Sequence, residues 1–380
     1  MSTIDSYRAA LAQDPQDLRA LLGLATVLGE AGDYQGAAEA CSLVVALDPQ
    51  CVGGWAVYGG VLARMGDYPA ALAALDRALQ LGPGCPAAHW NRSGVRLVLG
   101  DFAGGWADYE WGKVNRMRRV RTLQPEWTGA PLPGGTLLLW CEQGAGDTFQ
   151  FVRLVQRAKE QAQAARVLLE VPEALVPLLH GQVDATVYAQ TPAGDLPYRF
   201  DHHTSLLSLP HLLGLTLESI PAAPYLGAKG KANLAGDGRK VGIVWRGNPE
   251  HANDANRSIT DLSGLSPLWQ VPGVQFYSLG IDVECPAGVV DLGAGITDWT
   301  HTAALLNELD LLVTVDTGIA HLAGAMGRPT WLMLPYAPDW RWLLERADSP
   351  WYPSTRLFRQ ETAGDWKSVV QRVAAELGAL

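Results

Sequence analysis

The sequence predicts a helical repeat region followed by two α/β halves built on parallel sheets, and three observations carry that prediction. A Gly-Asp-aromatic tripeptide returns every 34 residues in the first third, as Gly32-Asp33-Tyr34, Gly66-Asp67-Tyr68 and Gly100-Asp101-Phe102. Beyond a proline-rich stretch, short β-branched apolar runs alternate with helical periodicity, first over 136–225 and again over 240–380. Within the second half, Leu311 to Leu334 reads as strand, turn, helix and strand, with Asp316-Thr317-Gly318 as the turn. In open parallel sheets that turn, at the carboxyl end of a strand, is where ligands bind.

Composition bounds the rest. The chain has 380 residues, 48% hydrophobic and 18% charged, enough to build two or three packed domains. Its net charge of −10 argues against a general nucleic-acid or anionic-membrane surface, which needs excess Lys and Arg. The five cysteines include no CxxC pair, so free thiols in a reducing compartment are expected and a metal site is not. The first residues lack a basic-then-apolar leader, and no apolar run is long enough to span a bilayer. The expectation is a soluble, cytoplasmic protein.

The first third repeats with the tetratricopeptide period: two antiparallel helices per unit, small residues where they cross, and proline at the exit. Pro15, Pro49 and Pro83 keep the same interval. Units fit at 17–50, 51–84 and 85–116, after a lone helix near 4–13. Such arrays present a groove for a peptide or partner helix, though three units could equally brace a neighbouring domain. In the third unit, Phe102, Trp106 and Tyr109 form an aromatic stripe at helical spacing, suited to docking on the next domain or, less so, to stacking a sugar. The basic run Arg116, Arg118, Arg119 and Arg121 leads into the linker Leu123 to Gly135. Domain boundaries are expected at 1–122, 123–225 and 226–380.

The middle third opens with a strand at Thr136 to Cys141 and a glycine-rich turn, Glu142-Gln143-Gly144-Ala145-Gly146-Asp147, into a helix. Strands follow at 166–171 and 185–189. His202 and His203 invite a metal reading, but adjacent residues of an extended chain point opposite ways and no third ligand is suitably spaced. Pro- and Gly-rich residues 220–239 form a second linker. The last third then reads as about five strands with helices between them, a doubly wound sheet. Two halves facing one another would gather Glu142, Asp147, Arg246, Asn248, Arg257, Asp316, Thr317, Gly318, His321, Asp339 and Arg341 at one cleft. Arginines and helix N-termini there suit a diphosphate.

Taken in order, Glu142-Gln143-Gly144-x-Gly146-Asp147-Thr148, Trp245-x-Gly247-Asn248, Asn256-Arg257-Ser258 and Asp316-Thr317-x-x-Ala320-His321 resemble a bacterial family. Its members join tetratricopeptide repeats to a GT-B glycosyltransferase domain akin to the heptosyltransferases. The resemblance implies a pair of Rossmann-like domains and an enzyme that needs no metal or cofactor. It uses a nucleotide-sugar as co-substrate and inverts the anomeric centre. Asp316, Gly318 and His321 match the family's Asp-x-Gly-x-x-His donor motif, in which the backbone after the Asp holds the donor phosphates. Arg257 falls where the family has a phosphate-contacting Lys; Arg246, Asn248, Thr317, Asp339 and Arg341 complete the expected donor set. Asp147 matches the position of the family's candidate general base. A carboxylate at a helix N-terminus is a weakened base, so Asp147 as a cap with Glu142 as the base stays open. The repeats depart from the lipopolysaccharide enzymes and suggest a protein Ser or Thr acceptor, as in O-GlcNAc transferase and repeat-bearing flagellin glycosyltransferases. The alternative is a non-catalytic repeat scaffold with a degenerate GT-B part. Neither nucleic acid nor a membrane span enters the expected partners.

Overall fold

The structure is a computed structural model and describes residues 3–114, 117–118, 125–191, 198–251 and 253–380. The chain divides into two compact units, Met1–Val120 with Asp339–Leu344, and Arg121–Pro338 with Glu345–Leu380.

The first unit is a stack of helix pairs. A single helix, α1 (Thr3–Gln13), precedes α2 (Leu18–Glu30) with α3 (Tyr34–Leu47), α4 (Val52–Arg64) with α5 (Tyr68–Leu81), and α6 (Pro86–Val98) with α7 (Phe102–Tyr109). The tripeptide explains its own recurrence. Gly32, Gly66 and Gly100 take φ of 85°, 83° and 87°, the left-handed conformation that ends a helix. The next residue then caps the following helix: Asp33, Asp67 and Asp101 accept from the amides of Gly36 (2.9 Å), Ala70 (3.1 Å) and Gly104 (3.0 Å). Within pairs the helices approach closely; a Cβ added at Gly59 of α4 would overlap Leu75 of α5.

The aromatic stripe is wholly inside this unit. Trp106 is 1% exposed and packs edge-on against Phe102, Tyr109 and Trp340, the last at 5.1 Å and 87°. The stripe thus takes up the far segment Asp339–Leu344, and burial closes Trp106 to a sugar. Of the basic run, Arg118 is buried, pairs with Glu110 at 2.7 Å and lies over the Tyr109 ring. Arg116, Arg119 and Arg121 lie outside the described residues.

Asp108 of α7 is the polar hub of the unit. Arg92 donates to it at 2.7 and 2.9 Å, Arg96 at 3.0 Å, and His89 Nδ1 lies 2.6 Å away. Burial alone would raise the carboxyl, but hydrogen bonds from Arg92 and His89, with the charges of Arg92 and Arg96, hold it below its usual range. A depressed carboxylate stabilises the fold above the unfolded value of about 3.9, and that contribution is lost as pH falls through the folded value. Asp108→Asn is therefore expected to flatten the acid limb below about pH 4. It should also cost about 1–3 kcal/mol at neutral pH, because the amide keeps one acceptor oxygen and turns an NH2 toward the half-buried Arg92 and Arg96 guanidinium groups. Urea unfolding of the full chain across a pH series measures both.

The second unit contains two parallel sheets. In the first, β1 (Thr136–Trp140), β2 (Arg166–Val171), β3 (Thr186–Ala189) and β4 (His202–Ser205) run in the order β3-β2-β1-β4. In the second, β5 (Arg239–Val244), β6 (Val274–Ser278), β7 (Val290–Asp291), β8 (Leu311–Val315), β9 (Thr330–Leu334) and β10 (Thr355–Arg359) run in the order β10-β9-β8-β5-β6-β7. The sequence suggests about five strands here and six form, the shortest being the two-residue β7. Among the described residues, all pairings between these strands are parallel. Central strands β8 and β9 are buried at every position, as parallel strands covered on both faces must be. One face carries Val241, Ile243, Val313 and Met333 against Val369, Val370 and Val373 of the closing helix Trp366–Gly378.

The histidine pair lies within β4. His203 points inward and accepts from the Trp140 indole at 3.2 Å. Among the described residues, no three His, Cys, Asp or Glu side chains gather as metal ligands, and no helix is long and apolar enough to cross a membrane.

Candidate functional site

Strand order locates the site. In each sheet the chain winds outward one way, then returns to lay a new strand on the other side of the first. The reversal falls between β1 and β4 in one sheet and between β5 and β8 in the other. Loops leaving those neighbours part in opposite directions and open a crevice at the carboxyl ends. Register sets them level, with Trp140 beside Ser205 and Val244 beside Thr314.

At the second crevice, β8 ends at Val315, and Asp316 and Thr317 turn the chain into the helix Gly318–Ala325. Thr317 is extended (φ −142°, ψ 168°) and its side chain makes no capping bond; its hydroxyl turns back to the Val315 carbonyl at 3.3 Å. The helix therefore starts without a side-chain acceptor at its N-cap, and Gly318 leaves the backbone open to close approach. Beside it, β5 runs out through buried Trp245 to exposed Arg246 and Asn248. The Gly247 amide donates to Ser258 Oγ at 2.9 Å, and Ser258 donates to Asp254 at 2.8 Å. Arg257 reaches the same Asp254 carboxylate at 3.4 Å. A Cβ at Gly247 would stand 2.6 Å from Asp254 and 2.9 Å from the Arg257 guanidinium, so a larger residue would push the ends of these two side chains aside.

At the first crevice, Glu142 leaves β1 and accepts a short hydrogen bond from the Ser205 hydroxyl at the end of β4. Both side chains are buried. Asp147 accepts from the Gly144 amide at 3.1 Å and so caps its own helix, Ala145–Phe151. The two carboxylates raised by the sequence thus have different settings, Glu142 beside a hydroxyl and Asp147 at a helix start.

The glycine turns after β1 and β8 meet. A Cβ at Gly146 would lie 2.8 Å from His321 Cδ2 and 3.4 Å from Gly318 Cα; one at Gly318 would lie 3.1 Å from Trp299. Trp299 packs edge-on against Phe149 at 5.0 Å. His321 is 5% exposed, with Nδ1 2.9 Å from the Tyr352 hydroxyl and Nε2 3.7 Å from Asp316 Oδ1. It belongs to the wall at this junction, oriented by protein atoms.

Behind His321 stands Arg153, 8% exposed. It donates to the carbonyls of Gln150 (2.8 Å), Trp351 (2.7 Å) and Pro221 (3.2 Å) and to the Tyr225 hydroxyl (2.8 Å). The rings of Tyr225, Trp351 and Tyr352 surround its guanidinium. Burial pushes the Tyr225 phenol above its ordinary range, against the pull of Arg153 and Tyr352. The sequence reading missed Arg153, Tyr225, Tyr352, Ser205 and Trp299. Arg153 left a signal: a lone charge in the apolar run Phe149 to Val155. The others left none.

Asp339 and Arg341 belong to the repeat unit. Asp339 accepts from the Arg341 amide at 3.0 Å and from its guanidinium at 2.8 Å, while the guanidinium covers Trp340 at 4.3 Å. Their contacts tie down a turn.

Comparison with known proteins adds names to these parts. Tetratricopeptide-repeat profiles match residues 4–50 and 28–91, and the profile of glycosyltransferase family 9 (heptosyltransferase) matches residues 283–332. Protein FlbA of Caulobacter vibrioides is 29% identical over 315 residues, covering 72% of this chain and 52% of its own length. The chain thus spans about half of that curated relative. Among solved structures, the iron-containing dodecameric glycosyltransferase TibC of enterotoxigenic E. coli is similar at 11% identity and a TM-score of 0.46, over 66% of this chain and 67% of TibC. A thermophilic tetratricopeptide protein of Thermus thermophilus, TTC0263, is similar at 26% identity and a TM-score of 0.28, over 29% of this chain and 63% of that one. The tetratricopeptide-repeat matches thus fall on the helix pairs of the first unit, and the match to glycosyltransferase family 9 falls on the second parallel sheet, where it includes Asp316, Gly318 and His321.

Proposed function

We propose that the chain is a GT-B glycosyltransferase that moves a sugar from a nucleotide-sugar to an acceptor hydroxyl. The observation that carries this is a coincidence of position. The residues that match family 9 contain the Asp316-Thr317-Gly318 turn, which leaves β8 at the reversal of the larger sheet. The donor diphosphate lies there against the start of the helix Gly318–Ala325, with Arg246, Asn248 and Arg257 from the β5 side balancing its charge. The acceptor hydroxyl attacks the anomeric carbon from the β1 side as the bond to the nucleotide diphosphate breaks. Its proton passes to a carboxylate, Glu142 or Asp147, and the configuration inverts. No metal is needed in this scheme, because amides and guanidinium groups neutralise the leaving diphosphate. The repeats fit a protein acceptor presented as an extended Ser- or Thr-bearing segment, a flagellin-like protein being one such substrate. Nucleotide-sugar chemistry and free thiols agree with a cytoplasmic setting.

Calorimetric titration with UDP, GDP, ADP and CMP identifies the nucleotide. Asp316→Ala and Arg257→Ala are each expected to weaken it about tenfold, the worth of one charge-assisted contact. Unchanged affinity in both variants would move the donor elsewhere. Sugar release from the matching nucleotide-sugar, with the partner protein present, separates an enzyme from a scaffold that retains only binding.

A further inference from the structure

The aromatic rings of this protein are put away, with one exception. Among the described residues every Trp, Phe and Tyr is buried or half-buried except Tyr336, which is 44% exposed. A ring left in water forgoes the gain of burial, so where it stands matters. Tyr336 lies two residues beyond β9, at the carboxyl end of the larger sheet. Val315 of β8 pairs with Met333 of β9. Gly318 and Tyr336 therefore each follow three residues after one paired level, beyond neighbouring strands about 5 Å apart. The backbone that carries the ring is held from both sides. Its amide donates to the buried Gln360 side chain, just past β10, at 3.1 Å. Asn256 donates to the next carbonyl, that of Ala337, at 3.2 Å. Asn256 belongs to the short helix Asp254–Arg257 in the loop from β5, and β8 lies between β5 and β9. That turn thus passes across the end of β8 to reach Ala337, and it carries Arg257 with it. Among the described residues the Tyr336 hydroxyl makes no hydrogen bond, and its ring meets no other ring or cation.

We propose that Tyr336 is the platform on which the base of the nucleotide stacks, the residue that favours a nucleotide over a bare diphosphate. A fixed backbone presents an aromatic ring that the protein itself does not use, one loop away from the turn and the arginine assigned to the phosphates. With the diphosphate against Gly318 and Arg257, the nucleoside extends toward the adjoining strand end and lays its base on the phenol. Stacking suits this place because every base has a π-face and an aromatic side chain has little rotamer freedom to lose. Stacking alone discriminates weakly among bases, so the choice of nucleotide falls to hydrogen-bonding groups around the ring. The role rests on the glycosyl-transfer reading, which supplies the base.

The test is calorimetric titration of the full chain with two kinds of ligand. One is whichever of UDP, GDP, ADP and CMP the wild type binds; the other is inorganic pyrophosphate, which has no base. Tyr336→Ala is expected to weaken the nucleotide about tenfold and to leave pyrophosphate unchanged. Tyr336→Phe keeps the ring and should hold nucleotide affinity within about twofold of wild type. Arg257→Ala serves as the contrast, because losing a phosphate contact should weaken both ligands together. Equal nucleotide affinity in Tyr336→Ala and wild type would overturn the proposal. So would a parallel loss of nucleotide and pyrophosphate in Tyr336→Ala, which would put the effect on the turn rather than the base. A loss in Tyr336→Phe as large as in Tyr336→Ala would assign the contact to the hydroxyl and overturn stacking. The failure of the wider reading looks different: the wild type itself would then bind none of the four nucleotides, and the platform would fall with it.

Discussion

Arg153→Met is expected to lower stability by on the order of 4 kcal/mol, a large fraction of what a domain of this kind has. Methionine fills much of the same volume between the rings of Tyr225, Trp351 and Tyr352, so the effect is not chiefly a cavity. What disappears is a set of charge-assisted donors to the carbonyls of Gln150, Trp351 and Pro221 and to the Tyr225 hydroxyl. The Pro221 carbonyl and the Tyr225 hydroxyl lie in one segment and the Trp351 carbonyl in another, both far in sequence from Arg153. No carboxylate shares the site among the bonds Arg153 makes, so no opposite charge is stranded and the loss is one of acceptors left buried. Arg153→Lys should recover only part, since an ammonium cannot reproduce the planar fork. Urea unfolding of the full chain at neutral pH reads both variants, and a loss under 1 kcal/mol for Arg153→Met would mean the segments are held by their rings alone.

Gly318→Val should weaken nucleotide binding by about two orders of magnitude, nearly 3 kcal/mol. The Cβ alone meets Trp299 at 3.1 Å and the Gly146 amide nitrogen at 3.6 Å, and the branched methyls add further bulk at the turn. They would stand where a phosphate must approach the backbone. The backbone itself tolerates the change, since Gly318 is not among the glycines with positive φ. Gly264→Ala serves as the control, because a Cβ there meets nothing within 4 Å. Calorimetry with the nucleotide found in the screen gives the comparison. Equal affinity for Gly318→Val and wild type would place the diphosphate away from this turn.

The helical repeats were legible because a backbone requirement is written in residue type. A left-handed glycine followed by a capping aspartate has few substitutes, so Gly32-Asp33, Gly66-Asp67 and Gly100-Asp101 announce the period directly. The strands were legible for a similar reason, since β8 and β9 must be apolar throughout to lie inside a parallel sheet. The turns at Glu142 to Asp147 and Asp316 to Gly318 could be read as strand ends rich in glycine and carboxylate. Their meeting could not. That Gly146 abuts His321 depends on how two sheets pack, and no local pattern encodes it. Tyr225 and Tyr352 carry no mark of their own, because a tyrosine chosen to hold a distant arginine looks like any core aromatic. Asp339 and Arg341 follow β9 closely, which suggested the donor side, but their contacts lie with the helices of the repeat unit. The loop between β9 and β10 is long enough for its middle, Asp339–Leu344, to group with the repeat helices.

That excursion bears on any attempt to take the molecule apart. Trp340 completes the ring cluster of Trp106 and reaches it from a loop more than two hundred residues downstream. A fragment stopped near residue 122 would present bare indole and phenyl edges to water, and would be prone to self-association however regular its repeats. Dissection by deletion would thus damage both pieces. Excising Asp339–Leu344 in the intact protein, with a short polar bridge between Pro338 and Glu345, is the cleaner way to ask what the solenoid owes to its borrowed strip.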